Sequence, residues 1–269
     1  MNRRDVALAS MGLATMAGIS PAIATNVSEA TDFRPFRSRS LDIGMLVFDR
    51  MDQIDFTGPF SVLSRLPDSN VQVIGLDARS IQDHKGLMLT PQTSLAAART
   101  PDVLVVPGGP GQEALMSHRA LLAAIASQVD AGRVLFSVCT GALLCGAAGV
   151  LHGRRATTHW ASMEFLHYFG AKPVDRRVVI DGRIVSAAGI TAGIDGALTL
   201  AALLRGDEAA QRIQLDIQYS PQPPFDSGQP ATAPRDVLDA VRSSYRSISA
   251  ARQETAMSYA RQSLHRSLP

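Results

Sequence analysis

The feature that most constrains the fold is a series of short, largely apolar segments that alternate with helical patterns along the chain. These segments lack the polar alternation of a half-exposed strand and are typical of strands buried on both faces. Such strands form sheets with helices on both sides, so we predict an α/β fold with a largely parallel central sheet. The segments are LDIGMLVF (41–48), NVQVIGLDA (70–78), DVLVVPGG (102–109) and RVLFSV (133–138).

Hairpins and helices complete the predicted elements. Turn residues between apolar runs indicate hairpins over 80–95 and 176–189. In the first helix we expect Thr57 as the N-cap and Pro59 in the first turn. Further helices are predicted over 113–131, 140–151, 160–169, 191–206, 207–219 and 235–266, with an extended Pro-rich segment at 220–234.

The N-terminus has the layout of an export signal. Arg3 and Arg4 precede a weakly apolar stretch that ends in Ala-Ile-Ala at 22–24, which predicts a twin-arginine signal peptide over 1–24. A start-site artefact or a short membrane anchor are the alternatives, but the stretch is too short to span a bilayer. We therefore expect a periplasmic or secreted protein without a membrane span after signal removal, and a cytoplasmic one if the segment is not a signal.

The rest of the chain predicts a single catalytic domain. We place a polar linker at 25–40, the domain at 41–245 and a helical tail at 246–269. The net charge of +2 is spread along the chain, so nothing indicates a nucleic-acid surface. The six histidines are isolated, so we expect no metal and no other cofactor, and we assign a structural role to His159.

The two cysteines lie in one stretch, VLFSVCTGALLCG (134–146). Cys139 ends a strand and opens a helix, as the nucleophile does in a strand–turn–helix elbow, where the helix N-terminus favours the thiolate. The alternative is a small core residue. Cys145 is predicted to be core, and a disulfide between them is unfavourable because their Cα atoms should lie roughly 8–9 Å apart.

Other polar and glycine residues are predicted at the same sheet edge. Asp55 follows the first strand and could face the thiol as an acid, although Asp also starts helices well and Asp52 is an alternative. Gly108 and Gly109 could turn backbone N–H groups toward a reacting atom, as in an oxyanion hole, or simply form a tight turn. Thr140 could point its hydroxyl into the site.

Four stretches of the sequence carry a family resemblance: DIGMLVFDRMDQIDFTGPFSVL, VLVVPGGPG, SVCTGALLCGAAGVLHGRRATTHW and GITAGIDGALTLAA. Together they resemble the ThiJ/PfpI superfamily, whose fold is a flavodoxin-like sandwich. The likeness covers about residues 41–241, and the Pro-rich segment RIQLDIQYSPQPPFDSGQP resembles the isonitrile hydratase subgroup. The resemblance implies that Cys139 is the nucleophile, that Asp55 is the carboxylate facing it, that Thr140 is important, and that the protein is a homodimer.

The same resemblance narrows the function. Protease-like and glyoxalase-like members carry His directly after the cysteine, where this chain has Thr140, and a DNA-binding regulator would need a helix-turn-helix pair. We therefore predict a lyase that adds water to a small-molecule isonitrile through a cysteine thioimidate and yields an N-substituted formamide. The alternative is an exported, non-catalytic binding or thiol stress-response module of the same fold.

Overall fold

The protein is built around a seven-stranded sheet with the strand order β10-β11-β7-β6-β1-β2-β5. The structure, a computed structural model, describes residues 33–266, with side chains to residue 262. The predicted signal peptide at 1–24 and the first part of the predicted linker lie outside the described residues.

The strands alternate with helices as the sequence pattern predicts. The sheet strands are β1 (Leu41–Val47), β2 (Ser69–Gly75), β5 (Thr93–Ser94), β6 (Val103–Val106), β7 (Val134–Val138), β10 (Val178–Asp181) and β11 (Ile184–Ala187), and small pairs are formed by β3 (Ile81–Gln82) with β4 (Met88–Leu89) and β8 (Arg155–Ala156) with β9 (Lys172–Pro173). Apart from a single 3₁₀ turn at Arg34–Phe36, the helices are α1 (Gln53–Leu63), α2 (Gln112–Leu115), α3 (Arg119–Asp130), α4 (Gly141–Ala147), a longer 3₁₀ helix (Trp160–Phe169, called the 3₁₀ helix below), α5 (Ala192–Arg205), α6 (Asp207–Asp216) and α7 (Arg235–Arg266).

The sheet is parallel except at one edge, where β10 pairs antiparallel with β11. Every residue of β6 and β7 is buried, because helices cover both faces of the sheet centre. α1, α5 and α6 pack together in one layer, and α2, α3, α4, the 3₁₀ helix and α7 form the other. The predicted α/β, flavodoxin-like arrangement with a largely parallel sheet is confirmed, and so are both hairpins.

The first helix begins earlier than predicted. Its N-cap is Asp52, whose carboxylate accepts the N–H of Ile54 at 2.9 Å, so the prediction of Thr57 as N-cap is wrong. Thr57 lies one turn inside and donates its hydroxyl to the carbonyl of Gln53. Pro59 is therefore within the helix, and its missing N–H leaves the carbonyl of Asp55 without the usual helical partner.

The helix predicted over 113–131 is broken into α2 and α3. The break comes at His118, whose imidazole accepts the N–H of Leu121 at 3.2 Å and so caps α3. Because the His118 side chain satisfies an N–H group that would otherwise be free, starting α3 here is as favourable as continuing α2.

Residues 33–40, predicted as part of a linker, pack against the domain. Phe33 and Phe36 are buried in the core, and Arg205 of α5 donates hydrogen bonds to the carbonyls of Phe36 and Arg39. Aromatic burial and these main-chain contacts outweigh the polar composition that suggested a linker. This segment is therefore part of the folded unit.

The C-terminal helix is continuous over 32 residues, and the domain boundary predicted after residue 245 falls within it. α7 packs on the 3₁₀ helix and on α2. The Pro-rich segment at 220–234 that leads into α7 is largely exposed. Within residues 33–266, no helix combines the length and apolar character needed to cross a bilayer.

The docking of the N-terminal segment can be tested with two phenylalanines. We expect Phe33→Ala to lower the free energy of unfolding by about 3–5 kcal/mol, because a fully buried ring leaves a cavity. Phe225→Ala is the control, since this ring is 75% exposed and its loss should cost less than about 0.5 kcal/mol. Urea denaturation measures both, and equal effects would contradict the docking of residues 33–40.

Candidate active site

Cys139 lies on a sharp turn between β7 and α4, as the elbow pattern predicts. Its backbone is left-handed, with φ of 55°, a conformation that costs energy for a residue with a side chain. Neighbouring groups hold the turn: the N–H of Cys139 donates to the carbonyls of Ala187 and Ala188, and its carbonyl accepts the Thr158 hydroxyl at 2.8 Å. Gly141 must be glycine, because a Cβ there would lie 2.1 Å from the carbonyl oxygen of Val106.

The Cys139 sulfur lies in a dry environment, with only 5% of the residue exposed. Burial, followed by the negative charge of Asp55, raises the pKa of the thiol well above its usual value. Backbone N–H groups of Ile190 and Thr140 face the sulfur and lower the pKa, but they do not compensate. The expectation that the helix N-terminus favours the thiolate is therefore wrong for the substrate-free protein. Burial raises the pKa of the thiol by more than the N–H groups lower it.

Asp55 is brought to the same point by the first turn of α1, and it is fully buried. Its Oδ2 accepts the N–H of Gly108 at 2.9 Å, whereas its Oδ1 has no hydrogen-bond partner among the described residues. Burial and the nearby charge of Asp52 raise the pKa of Asp55 to about 8, against smaller lowering effects of the Gly108 N–H and the Cys139 thiol. Near neutral pH, this carboxyl and the thiol beside it are both largely protonated.

The Gly108–Gly109 loop does not offer free N–H groups, contrary to the predicted oxyanion role. The N–H of Gly108 is taken by Asp55, and the N–H of Gly109 donates to the Thr140 hydroxyl at 3.0 Å. Glycine is required at both positions, since a Cβ would lie 2.5 Å from the Thr140 nitrogen or 2.3 Å from the Asp52 nitrogen. The loop therefore positions the carboxyl of Asp55 and the hydroxyl of Thr140, both of which are buried.

Arg252 is a site residue that the sequence did not reveal. It comes from α7, in the part predicted as a helical tail, and is 5% exposed. Its guanidinium donates to the carbonyl of Gly109 at 3.0 Å and to the side-chain oxygen of Gln112 at 3.1 Å. Longer contacts of 3.4 Å reach the hydroxyls of Thr140 and Ser162. No local motif marks Arg252, because its partners lie 90 to 143 positions away in the sequence.

An aromatic cluster of His159, Trp160 and Tyr245 lies beside these residues. His159 accepts the N–H of Ala161 at 3.3 Å and caps the 3₁₀ helix, in line with the structural role predicted for it. Burial and the charge of Arg252 lower the pKa of His159 to about 4, so the ring is neutral. Trp160 and Tyr245 also line a cavity of about 510 Å³ between the 3₁₀ helix and α7.

Cys145 is fully buried within α4, and both cysteines are free, so the predictions of a core Cys145 and of no disulfide are confirmed. Burial raises the pKa of Cys145 to about 12. Among the residues that the structure describes, no group of three or more His, Cys, Asp and Glu side chains is placed to hold a metal.

Comparison with known proteins gives a consistent result. The DJ-1/PfpI family profile matches residues 42–203. The isonitrile hydratase of Pseudomonas putida is 48% identical over 203 residues, which cover 76% of this chain and 89% of that protein.

Solved structures agree with this match. A ThiJ/PfpI family protein from Pseudomonas syringae is similar with a TM-score of 0.79 and 30% identity, over 90% of this chain and 98% of its own. DJ-1beta of Drosophila melanogaster shares the fold with a TM-score of 0.62 and 24% identity, over 68% of this chain and 100% of its own. The profile match spans more than half of the sequence, and the likeness to the Pseudomonas putida enzyme spans most of that protein, so the chain belongs to the DJ-1/PfpI family.

Proposed function

We propose that this protein is an isonitrile hydratase-like lyase that adds water to an isonitrile and forms an N-substituted formamide. The observation that carries the proposal is the buried pair of Cys139 and Asp55, a nucleophile beside a carboxyl whose pKa of about 8 suits proton donation near neutral pH. The 48% identity to the Pseudomonas putida isonitrile hydratase supports the same reaction.

In the first step, the Asp55 carboxyl donates its proton to the terminal carbon of the isonitrile. The Cys139 sulfur bonds to the same carbon, and the thiol proton passes to the Asp55 carboxylate. The S–H bond is broken, one C–H and one C–S bond are formed, and the product is a thioimidate in which that carbon is doubly bonded to nitrogen. Asp55 is again protonated, so the pair needs no external base.

In the second step, Asp55 protonates the thioimidate nitrogen and then accepts a proton from a water molecule that adds to the carbon. The C–S bond breaks as the new hydroxyl becomes the formamide carbonyl, and its proton returns through Asp55 to the sulfur. The overall reaction consumes one water and regenerates both groups. Thr140 contributes by holding the Gly109 N–H and, through it, the loop that orients Asp55.

The protonated Cys139 thiol favours the hydratase hypothesis over the alternative of a thiol stress-response module. Peroxide reacts with thiolates, so cysteines that sense oxidants have lowered pKa values and accessible sulfurs. Cys139 has the opposite properties, because it is buried and the pKa of its thiol is raised. In the proposed hydration, the thiol loses its proton only while the substrate carbon gains one. A protonated thiol therefore suits hydration better than it suits oxidation by peroxide.

The two cysteines provide a matched test of the nucleophile. We expect Cys139→Ala to abolish formation of N-cyclohexylformamide from cyclohexyl isocyanide, because no thioimidate can form. Cys145→Ala, a substitution in the next helix at a fully buried thiol, should keep most of the activity. Chromatographic assay of the formamide measures both, and full activity in Cys139→Ala would exclude the mechanism.

The charge of Asp52 is expected to add to the effect of burial in setting the upper pH limit of activity. Protonated Asp55 is the acid, so kcat/KM should fall as the pH rises through about 8. Asp52→Asn removes a negative charge that raises the pKa of Asp55, but Asn caps a helix as well as Asp does. We expect the alkaline limb of the kcat/KM profile to move to lower pH in this variant, and an unchanged or higher midpoint would argue against Asp55 as the acid.

Asp55 should also make the fold less stable at alkaline pH. Its pKa is raised on folding, so the folded state binds a proton that the unfolded state releases, and stability falls as the pH rises from about 4 to about 8. Asp55→Asn keeps an acceptor for the Gly108 N–H without the titrating proton. We expect Asp55→Asn to be inactive. Its free energy of unfolding, measured by urea denaturation and compared with that of wild type, should be higher at pH 8.5 than at pH 5. An equal difference at both pH values would contradict the raised pKa.

A further inference from the structure

Arg252 presents a buried positive charge that the proposed reaction has not used. Its hydrogen bonds go to uncharged acceptors, the carbonyl of Gly109 and the side chains of Gln112, Ser162 and Thr140. No carboxylate among the described residues forms a salt bridge with it. A buried cation without an ionic partner is costly, and burial accordingly lowers the pKa of Arg252. Such a cost indicates that an anion appears nearby during function.

Among the neighbouring ionisable groups, Glu113 is an anion that acts on Arg252 at rest, but it forms no salt bridge with it. His159 is neutral, and burial raises the pKa of Tyr245 on α7 itself. Glu113 is partly exposed and accepts the hydroxyl of Thr255. The ionisable groups around Arg252 come from several elements. They are Asp52 and Asp55 at the start of α1, Cys139, Glu113 of α2, His159 before the 3₁₀ helix, and Tyr245 of α7.

The Cys139–Asp55 pair is the buried source of a further negative charge. When both groups are protonated, the pair is neutral and adds nothing to balance Arg252. When the pair gives up one proton, its single negative charge and Arg252 balance. The positive charge of Arg252 acts on Cys139 in this direction, since it favours the thiolate.

The same guanidinium fixes the geometry of the site. One nitrogen, Nη2, bridges the carbonyl of Gly109 and the hydroxyl of Thr140, the two residues that are also joined by the Gly109 N–H. The adjacent N–H, that of Gly108, holds the Asp55 carboxyl. Displacing Arg252 would therefore loosen the loop that orients Asp55.

We propose that Arg252 is a positioning residue of the active site, which locks the Gly109–Thr140 contact and offsets the negative charge formed when the Cys139–Asp55 pair releases a proton. Its catalytic part rests on the proposed hydration, whereas its effect on the thiol does not. Because Arg252 belongs to α7, the C-terminal helix is part of the active site rather than an appendage.

The thiol gives a readout that does not depend on the substrate. In a Cys145→Ala background only Cys139 can react, so its rate of alkylation by iodoacetamide is followed against pH. We expect Arg252→Met, which keeps the length of the side chain but removes the charge, to shift this profile upward by about one pH unit, equal to a roughly tenfold slower reaction at a fixed pH. Arg252→Lys should restore the rate of alkylation at pH 7, where a lysine keeps its positive charge.

Hydration of cyclohexyl isocyanide gives the second readout. We expect Arg252→Met to lower kcat about tenfold or more with little change in KM, as for an interaction made only in the transition state. Arg252→Lys should recover only part of kcat, since an ammonium cannot reproduce the fork of the guanidinium. Arg246→Met, an exposed arginine six residues earlier on α7, is the control and should match wild type in both assays.

The outcomes separate the two proposals. A wild-type alkylation profile in Arg252→Met, or a Lys variant that reacts as slowly as the Met variant at pH 7, would overturn the charge role. If Arg252→Met shifts the alkylation profile but the wild-type protein forms no formamide, the proposed hydration is overturned and the action of Arg252 on the thiol remains supported. If Arg252→Met does not fold, Arg252→Lys against Arg246→Lys tests the positioning role through kcat, and equal kcat values would overturn it.

Discussion

The burial of the Asp55 carboxyl beside the Cys139 thiol is the constraint on which the rest of the site depends. Neither group can ionise easily in this buried position, so the carboxyl keeps a proton that it would lose in neutral water, and the thiol loses its proton less readily than a free thiol does. The arrangement persists because its surroundings over-determine it: the Gly108 N–H holds Asp55, and main-chain contacts at Ala187 and Ala188 hold the left-handed Cys139. The proposed addition to an isonitrile carbon uses these two protons.

The second layer of helices completes this site from the far end of the chain. α7 packs on the 3₁₀ helix and α2, and almost all of its side chains other than Arg252 and Ala256 remain partly or fully exposed. A helix with so little buried apolar surface is held largely by what its buried face contacts. Those contacts include the hydrogen bonds of Arg252 to the Gly109 carbonyl and the Thr140 hydroxyl, so the attachment of α7 and the order of the active site share these bonds.

Membership of the DJ-1/PfpI family accounts for the elbow and the sheet, but a fold shared by proteins of different activity does not specify the reaction. The proposed chemistry rests on local features of this chain. Thr140 follows the cysteine and uses its hydroxyl to hold the Gly109 loop, while His159 stays neutral and caps a helix. The carboxyl of Asp55 is then the main proton-transfer group near the sulfur, which suits hydration better than histidine-assisted hydrolysis.

The sequence alone determined the parallel sheet, the hairpins, the Cys139 elbow and the meeting of Asp55 with it, because apolar periodicity and the carboxyl ends of parallel strands are local or topological properties. It misplaced the start of α1, since Asp52 and Thr57 are both good caps and only packing selects between them. It could not predict that the N–H groups of Gly108 and Gly109 are already bonded, that burial outweighs the helix N-terminus at the thiol, or that Arg252 enters the site. Those properties depend on distances between segments far apart in the chain and on exclusion of water, which only the tertiary structure decides.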